Sequence, residues 1–281
     1  MLRSLYSGIS GLRSHQTMLD VTGNNIANVN TTGFKASATQ FQDTLSQLTQ
    51  GAGAPQEALG GTNPAQVGLG VQVAGVVTNF SQGSAQATGR ATDMMINGDG
   101  FFITSLGGET LYTRAGAFTP DAEGRLVTPD GSLVQGWPAV DGVIQQGAVG
   151  NLQMPRTGEA TANGTLESFT IGADGTLVGA FSDGTRQPLG RVALASFVNP
   201  AGLEKAGGSA YRPTANSGAA EIGAGGTNGL GTLTAGTLEM SNVDLSQEFT
   251  NLIVAQRGFQ ANARIITTSD EVLQELANLK R

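Results

Sequence analysis

The residues of this chain that could do chemistry are few and poorly spaced for it. His15 is the single histidine, and there is no cysteine. A Ser–His–Asp relay would have to be built around His15, which sits inside a helix-patterned apolar stretch and reads as a surface histidine on an amphipathic helix. One histidine and no thiolate make a transition-metal centre unworkable. The loop 93–100 has the acids of a calcium site, but Met95 stands where an EF-hand pattern needs an oxygen ligand. Gly68, Gly70 and Gly75 miss the Gly-x-Gly-x-x-Gly spacing, and no Gly-Lys-Ser/Thr phosphate loop occurs. Asp121, Asp130 and Asp183 are the acids a glycosidase pair would need, yet each stands where a turn-forming aspartate is expected. The sets of catalytic, cofactor-binding and metal-binding residues are therefore predicted to be empty, and the chain to be no enzyme.

What the residues do form is a pair of apolar stripes at the two ends of the chain. Leu5, Leu12, Leu19 and Ile26 recur every seven positions near the start, and Leu245, Leu252, Phe259, Ile266 and Leu273 do so near the end. Ile9 and Phe249 belong to the alternate layers. Such a stripe cannot be covered by its own helix and needs a partner. The N-terminal helix is expected to run from residue 2 to about 32, with Gly33 as its C-cap. Gly8, Gly11 and Gly23 each cost about 1 kcal/mol relative to alanine, so this helix needs packing to form. Asn24 and Asn28 follow on one side, either as a solvated helix end or as a polar strip for contacts between subunits. The last helix begins after Asp244, a plausible N-cap with Gln247 three residues on, and runs toward Leu279, about 50 Å long at 1.5 Å per residue.

Between the helices the period changes to two. Strands are predicted at 71–77, 111–118, 125–127, 133–137, 169–171, 177–181 and 191–197. Asp-Gly pairs at 99–100, 130–131, 141–142, 174–175 and 183–184 punctuate them. Met95 and Phe101–Ile103 flank Asn97-Gly98-Asp99-Gly100, a hairpin signal. The predicted organisation is an N-terminal helix over 1–34, a Gly/Ala/Pro-rich connector over 35–70, an all-β domain over 71–200, a Gly-rich return connector over 201–240, and a C-terminal helix over 241–281. The fold class is thus a mostly β central domain plus an α-helical coiled-coil domain of paired N- and C-terminal helices.

Composition narrows the partners. The net charge is −7 and charged residues make up only 13%, which argues against a nucleic-acid footprint. No apolar run reaches the roughly 18–20 residues that span a bilayer. The first residues lack the apolar core and small-residue site of a cleavable secretory signal. Composition alone favours a plain cytosolic protein.

Several segments resemble one family. Asp20-Val21-Thr22-Gly23-Asn24-Asn25-Ile26-Ala27-Asn28-Val29-Asn30-Thr31-Thr32-Gly33-Phe34-Lys35 is similar to the N-terminal signature of the bacterial flagellar rod and hook proteins. Leu238-Glu239-Met240-Ser241-Asn242-Val243-Asp244-Leu245, with the stretch from Ala255 to Asn262, resembles their C-terminal signature. Residues 67–71, 88–93, 97–102 and 112–118 are similar to their central β region. Segments 172–179 and 189–197 resemble the hook protein's return through that region, which ranks hook above distal rod. The resemblance implies a non-enzymatic subunit that polymerises into the flagellar hook, a curved hollow tube acting as universal joint and export conduit. It implies terminal helices packed inward with a β body outside, and no cofactor. The implied partners are further copies of the chain, the distal rod protein, the hook–filament junction protein, the hook cap, the hook-length control protein and the type III export apparatus. No nucleic acid and no membrane insertion are implied. The implied place is the hook and basal body, outside the cell, reached without a cleaved signal peptide. The subunit-contact residues it points to are the stripe residues above together with Asn24 and Asn28. The competing readings are an adhesin-like β protein with coiled-coil ends and a carbohydrate-active enzyme using turn acids.

Overall fold

The structure is a computed structural model that describes residues 2–55, 60–140, 142–145, 147–155, 160–161 and 164–278. Asp141 of one predicted Asp-Gly turn and Leu279 at the expected helix end lie outside these residues. The chain forms two compact units. One comprises Met1–Ala27, Ser37–Asn79 and Val243–Arg281; the other comprises Asn28–Ala36 and Phe80–Asn242.

The first unit is built on α1 (Leu2–Ala27) and α2 (Leu245–Asn278). The helices run antiparallel. Going up α1, Gly8 faces Ile266, Gly11 faces Asn262, His15 faces Gly258 and Asn25 bonds Glu248, so one index rises as the other falls. Small residues permit the approach: a Cβ on Gly11 would stand 2.7 Å from the Asn262 amide oxygen, and one on Gly258 2.5 Å from the His15 ring. The Asp244 cap is as predicted. Its Oδ1 accepts the Ser246 N–H at 2.8 Å and the Gln247 N–H at 3.3 Å, satisfying donors a helix start leaves orphaned.

The N-terminal helix ends earlier than its pattern suggests. Residues 28–30 form a turn in which the Thr31 N–H donates to the Asn28 carbonyl at 3.1 Å and the Thr31 hydroxyl to Asn28 Oδ1 at 3.0 Å. Asn and Thr side chains thus compete with the helical ladder and win. Gly33 is not a helix cap but a point of close approach. With φ +67 its N–H donates to the Glu239 carbonyl at 2.8 Å, and a Cβ there would lie 2.4 Å from the Ala115 nitrogen.

Residues 35–70, expected to be a connector with little core of its own, carry three mostly exposed strands: β1 (Ser37–Asp43), β2 (Ser46–Gln50) and β3 (Ala65–Gly68). β2 and β3 pair as an antiparallel ribbon. The strand read at 71–77 is β4 (Val71–Thr78), and it pairs with β1 rather than with the central sheet. Polar and small residues dominate these strands, so composition hid a pairing that depends on non-local partners.

The second unit is antiparallel β. In spatial order its main sheet runs 160–161, 164–171, 176–181, 186–192, 133–140, 101–106, 109–113, 210–212, 204–207. The Asp-Gly pairs at 174–175 and 183–184 close two successive hairpins of this path, with Gly175 and Gly184 at φ +83 and +82. Residues 97–100 do not close a hairpin. β5 (Ala85–Ala87) pairs with Thr237–Glu239, and β6 (Met94–Asn97) pairs with Thr232–Ala235. β7 (Phe101–Leu106) pairs with β8 (Glu109–Thr113) through the two-residue Gly107-Gly108 loop. The 97–100 loop instead carries the chain from one sheet to another, held where the Gly231 N–H donates to the Asp99 carbonyl at 2.7 Å. The return segment 201–240, read as a connector, therefore supplies sheet partners.

Successive residues of β7 point to opposite faces and feed two cores. Phe102 packs edge-on to Phe118, ring centroids 5.1 Å apart, within a cluster including Met94, Ile96, Val134 and Leu194. Phe101 packs on Phe197 at 5.8 Å within a second cluster including Ile103, Tyr112 and Tyr211.

Candidate assembly surface

The helical unit has almost no apolar interior. Among its described residues Ala255 is the one fully buried hydrophobic side chain; the other buried side chains are Ser14, Thr22, Asn25 and Ser37. A large apolar side chain gains about 1.5–3 kcal/mol on full burial, and this unit forgoes that gain repeatedly. Tyr6, Phe41, Leu45, Leu48, Phe249 and Ile253 are all exposed. Exposed apolar side chains in this number make the unit the candidate surface for assembly.

Of the predicted contact residues, Ile266 packs on Gly8 in the seam, and the others are half-buried or exposed. Leu5, Leu12, Leu19 and Ile26 are half-buried and Ile9 is exposed. Leu252, Ile266 and Leu273 are half-buried, while Leu245, Phe249 and Phe259 are exposed. Asn24 is exposed, and Asn28 belongs to the β unit, where it is half-buried. The seam itself is lined by glycines and polar residues that the heptad pattern passes over. Small residues at helical spacing were the signal available for it: Gly8 and Gly11 lie beside Asn262, and Gly258 beside His15.

Asn25, rather than Asn24 or Asn28, is the asparagine of this stretch that is buried in the seam. Its Nδ2 donates to the Ser37 carbonyl at 2.8 Å and to Glu248 Oε1 at 3.2 Å, and its Oδ1 accepts the Ser37 N–H at 3.0 Å. One amide thereby joins α1, β1 and α2. In the β unit, Lys35 Nζ lies 2.6 Å from Glu239 Oε1 and donates to the Ser81 carbonyl at 2.7 Å. Arg114 Nη1 lies 3.5 Å from Glu239 Oε2 and the guanidinium stands over the Phe101 ring. Burial, together with the repulsion of Arg114, lowers the Lys35 pKa against the opposing pull of Glu239.

The residues considered for chemistry are placed otherwise. His15 is a seam residue rather than a surface one: its ring rests on Gly258, 5.9 Å from the Phe41 ring, with Nδ1 buried and unbonded. A cavity of about 350 Å³ in the β unit is walled by Thr31, Thr104, Thr113, Thr128 and Ser132, with Asp130 its one carboxylate. Asp121 bonds Arg125 at 2.8 Å, and Asp183 caps its own turn through the Thr185 N–H at 3.0 Å. These acids shape turns. Among the described residues no group of three His, Cys, Asp or Glu could hold a metal ion, and no helix is long and apolar enough to cross a membrane.

Comparison with known proteins gives the surface its context. Residues 5–35 match the family described as flagella basal body rod protein, residues 95–179 the flagellar hook protein FlgE/F/G D1 domain, and residues 234–279 the flagellar basal body rod FlgEFG protein C-terminal region. The flagellar basal-body rod protein FlgG of Bacillus subtilis is 48% identical over the whole of both chains. The FlgG of Caulobacter vibrioides is 38% identical, covering 99% of this chain and all of that one. The flagellar hook protein FlgE of Borreliella burgdorferi is 34% identical, again over the whole of both, across 441 aligned positions. With both ends and the central region matched, the chain belongs to the bacterial flagellar basal-body rod and hook family FlgE/F/G, as a non-enzymatic structural subunit of the flagellar axis.

Proposed function

We propose that this chain is the distal rod protein of the flagellar basal body, polymerising into a straight, hollow drive shaft. The observation that carries this is agreement in length and sequence with a rod protein: 48% identity over 282 aligned positions, against 34% over 441 for a hook protein. The hook relative has long stretches with no counterpart in a chain of 281 residues. This reverses the ranking taken from segments 172–179 and 189–197. Those segments belong to two neighbouring hairpins and the strand beside them, whose Asp-Gly turns serve local β geometry and carry no information about tube curvature.

The copies join through the helical unit, whose stripe residues Leu5, Ile9, Leu12, Leu19, Ile26, Leu245, Phe249, Leu252, Phe259, Ile266 and Leu273 provide the contact surface. Support comes from the missing core: a unit with one buried apolar side chain gains its burial from neighbours. Other axial proteins of the flagellum cap the two ends of the polymer. Export runs through the flagellar type III apparatus with both chain ends largely unfolded beforehand. Negative-stain microscopy of the purified polymer tests the assignment. A straight tube is the expected result; a curved one returns the chain to the hook.

A further inference from the structure

Strands 133–140 and 186–192 are neighbours in the main sheet of the β unit, and Trp137 stands directly opposite Arg191. Opposite residues of an antiparallel pair project from the same face, with Cβ atoms about 4.5–5.5 Å apart. Together with Ile144, Gly147, Ala224 and Thr227 they line a cavity of about 330 Å³. All of these residues belong to the β unit. A space of this size is enough for a small-molecule ligand.

Its polar groups are already committed in ways that define what they can still offer. The indole N–H donates to the Gly147 carbonyl at 3.0 Å, and the ring packs on the second core cluster, so Trp137 offers the cavity apolar ring surface. Arg191 Nε donates to the Thr176 hydroxyl at 3.1 Å and Nη2 lies 3.3 Å from Asp174 Oδ2. The guanidinium charge is thereby matched, and Nη1 is left with N–H donors. The Thr227 hydroxyl donates to the Ala224 carbonyl at 2.7 Å, so toward a ligand it acts as an acceptor.

We infer that this cavity is a binding site for a neutral saccharide, with a pyranose ring stacked on Trp137 and its hydroxyls bridging Arg191 and Thr227. A pyranose carries C–H bonds on its face, whose slight positive charge suits the negative face of an indole. Its rim of hydroxyls both donates and accepts, which answers one donor and one acceptor at once. An anion would find the Arg191 charge already matched by Asp174, and a cation would find no carboxylate on the wall. A wholly apolar ligand would bury the Arg191 and Thr227 groups without partners, which is costly. The inference stands apart from the polymer reading, since it uses only the β unit.

Trp137 is the single tryptophan, so its fluorescence reads this cavity directly in the full-length chain. Maltotetraose, cellotetraose and N-acetylchitotetraose are titrated, with tetragalacturonate as an anionic rival and decaproline as a rival for the indole face. At least one neutral tetrasaccharide is expected to shift the emission saturably, with a Kd on the order of 1 mM or below. Ala224→Leu fills the cavity from its wall and is expected to weaken that response about tenfold or more. Thr227→Val keeps the volume but removes the acceptor, and is expected to weaken it by about 2- to 10-fold. Ser132→Ala, in the wall of the separate hydroxyl-lined cavity, is expected to leave it unchanged. Three results would overturn the inference. One is that no neutral saccharide binds. Another is that both cavity variants keep the wild-type unfolding transition and bind as tightly as wild type. The third is that tetragalacturonate or decaproline binds more tightly than every neutral sugar.

Discussion

Lys35 and Glu239 meet in a fully buried ion pair, Nζ 2.6 Å from Oε1, although 204 residues separate them. They come from the two stretches, one near each end of the chain, that carry the family resemblance. Glu239 Oε1 also accepts the Gly83 N–H at 2.9 Å, so one carboxylate gathers three passages of the chain. Replacing Lys35 with Met removes the nearer of the two cations on that carboxylate, leaving Arg114 at 3.5 Å in a dry site. The expected loss is about 3–5 kcal/mol in stability of the β unit, measured by thermal or denaturant unfolding. The double variant Lys35→Met/Glu239→Leu is expected to lose less than the sum of the single ones.

Asn25→Ala removes an amide that satisfies both peptide groups of buried Ser37 and reaches Glu248. Each group left unsatisfied costs about 1–3 kcal/mol. Hydrogen exchange on the polymer is expected to show faster exchange at Ser37 and along β1, with the β unit unchanged. Asn24→Ala, at an exposed site one residue away, is expected to leave that exchange as it was.

Gly258→Val pushes a side chain into the His15 ring, which a Cβ would already approach to 2.5 Å. Overpacking of this kind costs about 1–3 kcal/mol and should lower polymer stability, read as a fall in dissociation temperature. Removing the obstacle with His15→Ala is expected to restore part of the loss. No rescue would show that the ring does not set the helix separation.

Leu252→Asp or Phe259→Asp puts a charge on the assembly surface. Either is expected to abolish polymerisation while the β unit keeps its unfolding transition. Normal tubes from such a chain would defeat the helical-contact reading.

Acid is expected to weaken the β hairpins. A hydrogen bond from the Thr176 hydroxyl, helped by the Arg191 charge, holds the Asp174 carboxyl below its ordinary range despite partial burial. The Thr185 hydroxyl and N–H do the same for Asp183. A carboxyl depressed in the folded state stabilises above its unfolded value, about 3.9, and loses that contribution as pH falls through the folded value. Asp183→Asn should therefore reduce the slope of stability against pH below about 4 and leave the slope near neutrality unchanged.

Much of the fold was legible in the residues, and the failures share one cause. The Asp244 cap, the Asp-Gly hairpins and the two terminal helices are local, and each was readable from a few neighbouring positions. The end of α1 was misplaced because its stop lies in the competition of Asn28 and Thr31 side chains, not in Gly33. The 97–100 loop imitated a hairpin because its partner strands arrive from positions beyond 200, which no local window contains. In the helical unit, period-seven counting picks out the leucines that are half-buried there but passes over Asn25 and the glycines of the seam. Apolar periodicity cannot register a close approach made by the absence of side chains.

The lateness of Glu239 in the chain sets the order in which the β unit can be completed. Lys35, β5 and β6 emerge early during synthesis, yet the carboxylate for the first and the edges for the other two are the last parts of that unit to appear. Until they do, an ammonium has no counterion and two strands have no neighbour. Non-local closure of this kind is slow. The last pairings of the β unit therefore wait for residues 232–239, after the strands of its main sheet have all been made.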